Sequence, residues 1–555
     1  MLGIGLGITS RLRSSVFNPA SLFRNGEQGW LYDLPDMSTL FQDAAGTTPV
    51  TGVNQPVGLC LDKSKGLVLG PERLANAAPA VTGTATAASY NTSTGAGNCT
   101  RVDAANQSWV QFSGLTAGAH RVAITNTGAV ALFIRAGAGL GAVTYAVLPL
   151  ASLTATFVAT SGAFSVTCDA GTASFVVNSV RELPGNHRSQ SASLPRPTYA
   201  RHPMGGIRNR LTFTQEFENP AWLKLASGTG AAPSVTANAG TAPDGTATAD
   251  RVVFNRGAGT TAGDISRLFQ EVADPASGSG VTSFYVRSFD GVSSYSMRLW
   301  AGLNEVNITV TGAWQRFEIA SVGTTFNCQL GLVGNQNQQN ADVLVWGAQG
   351  EYGSTATAYQ RVVSAFDVTE AGKPDLYYLA YDGSDDFLST APFAWGTDKA
   401  TVVAGVRKLS DAATGMLVET SVNATGSNGA FYITAPELPN DGYAFLSKGT
   451  NNAGVTRLPL ASYPAPITSV FTGIGDISGD VSRIRINGVQ VGQSTGEQGT
   501  GNFGTHQAFF GARGGSSLFF NGREYSQFAI NRLLTANELA QLERWTAQKT
   551  GVTIP

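Results

Sequence analysis

Alternation of apolar and polar residues in short runs, broken by Gly, Thr, Asn and Pro, fills this chain almost from end to end. "SWVQFSGL", "HRVAITNTG", "ALFIRAG", "ASFVVNSVREL", "SFYVRSF", "WQRFEIAS", "ATVVAGVRKL" and "SRIRINGVQVG" all carry it. A period of two sends successive side chains to opposite faces of a strand, so each run supplies a sheet with one apolar face that a second sheet must cover. Strands at this spacing specify sandwiches in series. The composition agrees: 66 of 555 residues are glycine and only 13% are charged, which suits dense turns and few solvated helices.

One segment breaks the pattern. In "FFNGREYSQFAINRLLTANELAQLERWTAQKTGV", Tyr525 to Asn531 reads as a last strand with Phe528 and Ile530 on one face. A helix then starts at the capping box Thr535-x-x-Glu538, with Leu534 and Leu539 as its hydrophobic staple. Leu539, Leu542 and Trp545 form its apolar stripe, and Gly551 stands where a left-handed residue ends it. A strand that feeds such a helix requires it to pack on a sheet.

Composition divides the chain into regions. Residues 1–72 are irregular, rich in Pro, Asp and Gly, yet carry Phe17, Leu22, Phe23, Trp30, Leu34 and Phe41. A segment so irregular is expected to bury these against symmetry mates or a larger particle, which points to a homo-oligomer. Residues 73–185 form a first β-sandwich and 186–206 a polar, Pro-containing linker. Residues 207–363 form a second sandwich, and 364–555 a third that closes on the helix.

Several functions are disfavoured. A net charge of −2 lacks the basic excess that nucleic acid requires. No run reaches the ~18 apolar residues of a membrane span. The opening "MLGIGLGITSRLR" places its basic residues after a short apolar run, the reverse of a secretory signal, so synthesis in a cytoplasm without signal-peptide export is expected. "GIGLGIT" is no dinucleotide fingerprint. Cys60, Cys99, Cys168 and Cys328 form no CxxC pair and read as buried free thiols. His120, His187, His202 and His506 make no HExxH, and neither a GxSxG elbow nor a P-loop is present. No cofactor is expected, and no enzymatic activity.

Two sets of phrases resemble known families. "NRLTFTQEFENPAWLKL", "PDGTATADRVV" and "VLVWGAQGEYGSTATAY" together resemble the carbohydrate-binding-module-like jelly roll of bacteriophage tail and virion proteins. Phe217 and Trp222 match its Phe…Trp pair, Pro243-Asp244-Gly245 its turn, and Trp346 to Gln349 its closing strand. "LAYDGSDDFLST", "RIRINGVQVG" and the final strand and helix resemble a laminin-G/concanavalin-A-like sandwich, in which the helix would cap the sandwich edge. The stretch "GWLYDLPDMSTLFQDAAGTTPVT" resembles an opening segment of phage structural proteins, implying attachment to the particle.

These likenesses imply a phage virion protein, a tail fibre or baseplate-associated receptor-binding protein that adheres to the host surface. Its partners would be other tail or baseplate proteins, through the amino-terminal segment, and a host glycan or other receptor; tail appendages of the resembled kind are often three-fold, which implies a homotrimer. A capsid decoration or head fibre is the alternative within the same class, and a glycan-cleaving tailspike the alternative outside it. For sugar contact the sequence offers Trp395, Tyr432 and Tyr443, since rings on sandwich loops stack on pyranose faces, although each also suits a sandwich core. Trp109, Trp300, Trp314 and Trp346 read as core. The acidic phrase "YDGSDDF" brings Asp382, Asp385 and Asp386 together, as a turn or as a calcium candidate whose spacing is no EF-hand.

Overall fold

The computed structural model describes residues 17–115, 118–141, 143–159, 162–272, 280–321 and 326–555. The opening "MLGIGLGITSRLR", with the signal and dinucleotide readings attached to it, lies outside them. The protein is all-β, with a single α-helix of 15 residues, Ala536–Thr550, among the described residues. Among those residues no helix is long and apolar enough to cross a membrane. The chain divides into two compact units: residues 1–199 with 378–555, and residues 200–377.

The amino-terminal segment departs most from expectation. Gly29–Asp33 pairs antiparallel with the last strand, Asn521–Ile530, placing Trp30 opposite Ala529 and Tyr32 opposite Gln527. Residues 379–382 take the other half of the same edge, so two remote segments share one strand's hydrogen-bonding side. In the facing sheet, Leu40–Phe41 pairs with Leu59–Cys60, which pairs with Arg188–Ser189, and that strand with Leu388–Thr390. The stretch expected as a linker is therefore a rung of the carboxy-terminal sandwich.

Burial corrects the argument from exposed apolar groups. Trp30 and Leu34 are wholly buried and Leu22, Phe23 and Phe41 nearly so, all within one chain. Leu22 and Phe23 join Val403, Val470, Phe528 and the helix residues Leu539 and Leu542 in one cluster, with Phe17 packed against it. Sequence irregularity did not prevent burial, because the segment needs no core of its own when a preformed sheet supplies one.

Arg188 anchors this arrangement. Its guanidinium meets the Glu524 carboxylate through Nη2 to Oε1 at 2.8 Å and Nη1 to Oε2 at 2.9 Å, with both side chains fully buried. It also lies 4.2 Å from the ring centre of Tyr32 and 4.8 Å from that of Phe510. Such a pair is retained only where geometry offsets the loss of water, and here each partner engages the other through two atoms.

The closing helix forms as its sequence specifies. The Thr535 hydroxyl accepts from the Glu538 N–H at 3.3 Å, the Glu538 carboxylate accepts from the Thr535 N–H at 2.8 Å, and Gly551 sits at φ 70°. Its placement differs from the expected edge cap. The helix packs on Lys399–Lys408, Ile467–Asp476 and Asn521–Ile530, adjacent strands inside the sheet, and so covers a face. Gly405 permits the approach, since a Cβ there would lie 2.6 Å from Thr550 Cγ2.

Residues 73–185 form a sheet of their own around Val110, Phe112, Ile124, Phe164 and Phe175. Residues 200–377 contain two five-stranded sheets enclosing Phe217, Trp222, Phe284, Leu299, Leu330 and Val343. The phrases that carried the jelly-roll likeness lie where it implies. Phe217 and Trp222 are in contact at 5.0 Å in that core, and Gly245 turns the chain at φ 87°. All four cysteines are buried and free.

Candidate functional site

The expected sugar-stacking rings are not available. Trp395, Tyr432 and Tyr443 are 2%, 4% and 0% exposed. Trp395 packs edge-on against Phe431 at 5.2 Å and donates from Nε1 to the Lys399 carbonyl. Tyr443 lies against Phe471 at 5.6 Å with its hydroxyl near Ser469 Oγ, and Tyr432 reaches Glu437. A ring enclosed on both faces cannot stack on a pyranose, so the sandwich filled its interior with the aromatics that the sequence offered for binding.

Asp382, Asp385 and Asp386 do come together, with carboxylate oxygens within 4.8 Å of one another. Asp382 accepts from the Ser384 N–H at 2.7 Å, and Asp386 accepts from the Asp382 N–H at 3.0 Å. These bonds define a turn held by its own carboxylates. Burial, then the neighbouring Asp382 and Asp385 charges, push the Asp386 carboxyl up to about 7. Loss of water around the carboxyl leads that rise, and the like charges add to it.

A further candidate face belongs to residues 200–377. One sheet there runs Leu223–Ser227, Ile265–Val272, Phe326–Val333, Tyr295–Ala301, Asn304–Val310. Residues directly opposite in an antiparallel sheet share a face. Leu268, Leu330 and Leu299 occupy the inner face, so their neighbours in each strand occupy the outer one. The register then lays two rows across five strands. Leu225, Arg267, Gly331, Arg298 and Asn307 make one; Leu223, Phe269, Gln329, Trp300 and Glu305 make the other. At about 4.8 Å per strand, each row spans roughly 19 Å.

Each row carries specific chemistry. Phe269 and Trp300 stand on either side of Gln329. The Trp300 Nε1 donates to Glu305 Oε2 at 3.0 Å, and Arg298 is held by Glu305 at 2.7 Å and Asn307 at 3.0 Å. Trp300 is buried as expected of it, at 8% exposed, and Gln329 and Arg298 beside it on this side of the sheet are buried too; Phe269 and Arg267 are the partly exposed members of the rows. Gln329 donates from Nε2 to Asn327 at 2.7 Å while its Oε1 has no partner. Beside Phe269 and Leu223 opens a groove of about 440 Å³, lined also by Arg210, Thr212, Gln270 and Glu271.

Sequence reading missed this face although its signal was present. In "ISRLFQEV" and "SYSMRLWAG" the solvent-side positions read Arg then aromatic, at i and i+2. An aromatic ring on the face that should be polar marks a surface kept for contact.

No family model matches the sequence, and no curated protein does. Among solved structures, the chain is similar to tandem CBM51 modules of a family 98 glycoside hydrolase from Streptococcus pneumoniae, at 10% identity over 46% of this chain and 84% of that one, TM-score 0.17. It is similar to the tandem CBM22 modules of Paenibacillus barcinonensis Xyn10C, at 10% identity over 54% and 100%, TM-score 0.20. A Trypanosoma rangeli sialidase matches at 10% identity over 66% and 69%, TM-score 0.24. Scores this low carry neither fold nor activity across, and the fold rests on the chain's own strand pairing.

Proposed function

We propose that this protein is a glycan-binding adhesion protein and that the two-row face of residues 200–377 contacts the sugar. The observation that carries this reading is Phe269, partly exposed on this sheet face and lining a groove of about 440 Å³ together with Arg210, Thr212, Gln270 and Glu271. Pyranose rings combine an apolar face with a rim of hydroxyls, and side chains of these two kinds side by side complement both. The protein acts by binding and not by cleavage. A single such face binds weakly, and several copies on one particle raise the effective concentration enough for firm attachment.

The finer reading is a phage virion protein, a tail fibre or baseplate-associated receptor-binding protein, supported by the resemblance of its jelly-roll and closing-sandwich phrases. With the amino-terminal apolar groups buried within the chain, a homotrimer draws support from likeness to tail appendages alone. Native mass measurement of the full chain tests it, and a monomer refutes it. Antibody labelling of particles separates tail from head.

The binding reading is tested with a panel of purified bacterial capsular polysaccharides and O-antigens. The full chain is expected to bind at least one, and Phe269→Ala to weaken that binding at least tenfold. Binding indifferent to Phe269→Ala would place the site elsewhere, and shortening of the bound polymer would make the protein an enzyme.

A further inference from the structure

We infer that this face selects a carboxylate-bearing sugar and that Arg267 is the residue that receives the carboxylate; the inference rests on the face being the glycan-binding surface. Arg267 stands in the first row, beside Leu225 on one side and Gly331 on the other. It forms no ion pair or hydrogen bond with any described residue, and its Nε is buried without a partner. The centre of the Trp300 ring lies 5.8 Å from its guanidinium.

Of the other arginines of these residues, Arg287 on the opposite sheet shares this state, its Nε buried without a partner and its guanidinium 5.6 Å from the Trp314 ring centre, whereas several are engaged. Arg298 is neutralised by Glu305, Arg251 by Asp342, Arg208 by Glu370, and Arg201 by Asp367 and Asp375. Arg256 donates to the Gln336 and Gln338 carbonyls. Against the engaged arginines, a half-buried guanidinium without an acceptor has lost water and gained only the Trp300 ring beside it. Ser or Thr would fill an outward strand position without that loss. A ligand anion reverses it, and a carboxylate fits the guanidinium fork through two parallel hydrogen bonds.

The surroundings favour an anion on a ring. Gly331 separates Arg267 from Arg298 on the central strand, and a Cβ there would lie 2.6 Å from Arg267 Cβ. A side chain there would clash with the Arg267 stem and with the Ser266 carbonyl oxygen, 2.3 Å away, so glycine lets the Arg267 stem lie against the central strand. A pyranose resting on Phe269 then directs its carboxylate toward Arg267. The charges bordering this path are Arg210 and Glu271 in the groove, which oppose each other, and the Arg298–Glu305 pair, which cancels. Arg267 is left as the uncompensated charge of the face.

The test uses the full chain and polymers that differ in one group: polygalacturonate, alginate and hyaluronate, each beside its carboxyl-reduced form, with sulfated dextran as a control for charge alone. Binding by calorimetry is expected to be at least tenfold tighter for at least one acidic polymer than for its reduced form. Arg267→Gln is expected to abolish that difference, and Arg267→Lys to retain part of it. The comparison on the unsubstituted protein needs no variant to fold. Equal binding of acidic and reduced forms, weakened alike by Phe269→Ala, overturns the inference and leaves the glycan face standing. Binding of sulfated dextran that equals the acidic polymers also overturns it. Binding that Phe269→Ala does not change, or no binding by any polymer of this set or of the polysaccharide panel, removes the glycan face itself and the inference with it.

Discussion

Trp30 offers a direct measure of how firmly the amino-terminal segment is built into the remote sandwich. Its indole is 0% exposed and is surrounded by Phe510 at 5.2 Å, Trp395 at 5.9 Å, Phe393 and Phe431 at 6.2 Å, and Tyr32 at 6.5 Å. Truncating a fully buried aromatic to alanine costs about 3–5 kcal/mol, or roughly two to three and a half decades in an opening equilibrium. Trp30→Phe should behave differently. The Nε1 donor has no partner, so removing it recovers about 1–3 kcal/mol, which offsets most of the packing lost to the smaller ring. The readout is hydrogen exchange in peptides covering Asn521–Ile530, whose edge Gly29–Asp33 completes. Trp30→Ala is expected to accelerate exchange there by two decades or more, and Trp30→Phe by less than one. If Trp30→Ala changes it by less than about threefold, the segment is not a working part of the sandwich.

Removing one partner of the Arg188–Glu524 pair should destabilise the same sandwich by about 3–5 kcal/mol, and Arg188→Met with Glu524→Leu by less than either single change; denaturant midpoints decide, with additivity as the refuting result. Gly405→Val should loosen the helix, because its Cβ would lie 2.6 Å from Thr550 Cγ2 and 3.2 Å from Thr546 Cγ2, and Thr550→Ala should partly restore protection of the helix amides. Asp386 has its carboxyl raised from 3.8 to about 7, so the fold favours its protonated form: that stability is full below 3.8 and is lost as pH rises through 7. Asp386→Asn should flatten this loss in a melting-temperature profile, and an unchanged slope refutes the assignment. Glu538 behaves oppositely, since the Arg532 hydrogen bond, together with the Thr535 amide and hydroxyl, lowers it from 4.5 to about 2. Its contribution is present above 4.5 and lost toward pH 2, and Glu538→Gln should remove that acid limb.

Much of the local structure was legible in the chain. The capping box at Thr535 and Glu538, the stop at Gly551, the turn at Gly245 and the contact of Phe217 with Trp222 all formed where the residues specify them, because each depends on neighbours in sequence or on one strand's periodicity. The jelly-roll strands of residues 200–377 follow for the same reason. What the sequence could not show is which segments share a sheet. Gly29–Asp33 pairs with a strand nearly five hundred positions later, and Arg188 finds Glu524 across 336 positions. Periodicity tells a strand that it has two faces, but the identity of the strand beside it is a property of the assembled sheet. The same limit governed the proposed binding face. Trp395, Tyr432 and Tyr443 looked suited to sugars and fill the core, whereas Arg267 and Phe269, partly exposed, share one face only because the register of their strand placed them there. Residue type determined what each side chain can do, and tertiary pairing determined whether water, protein or a ligand meets it.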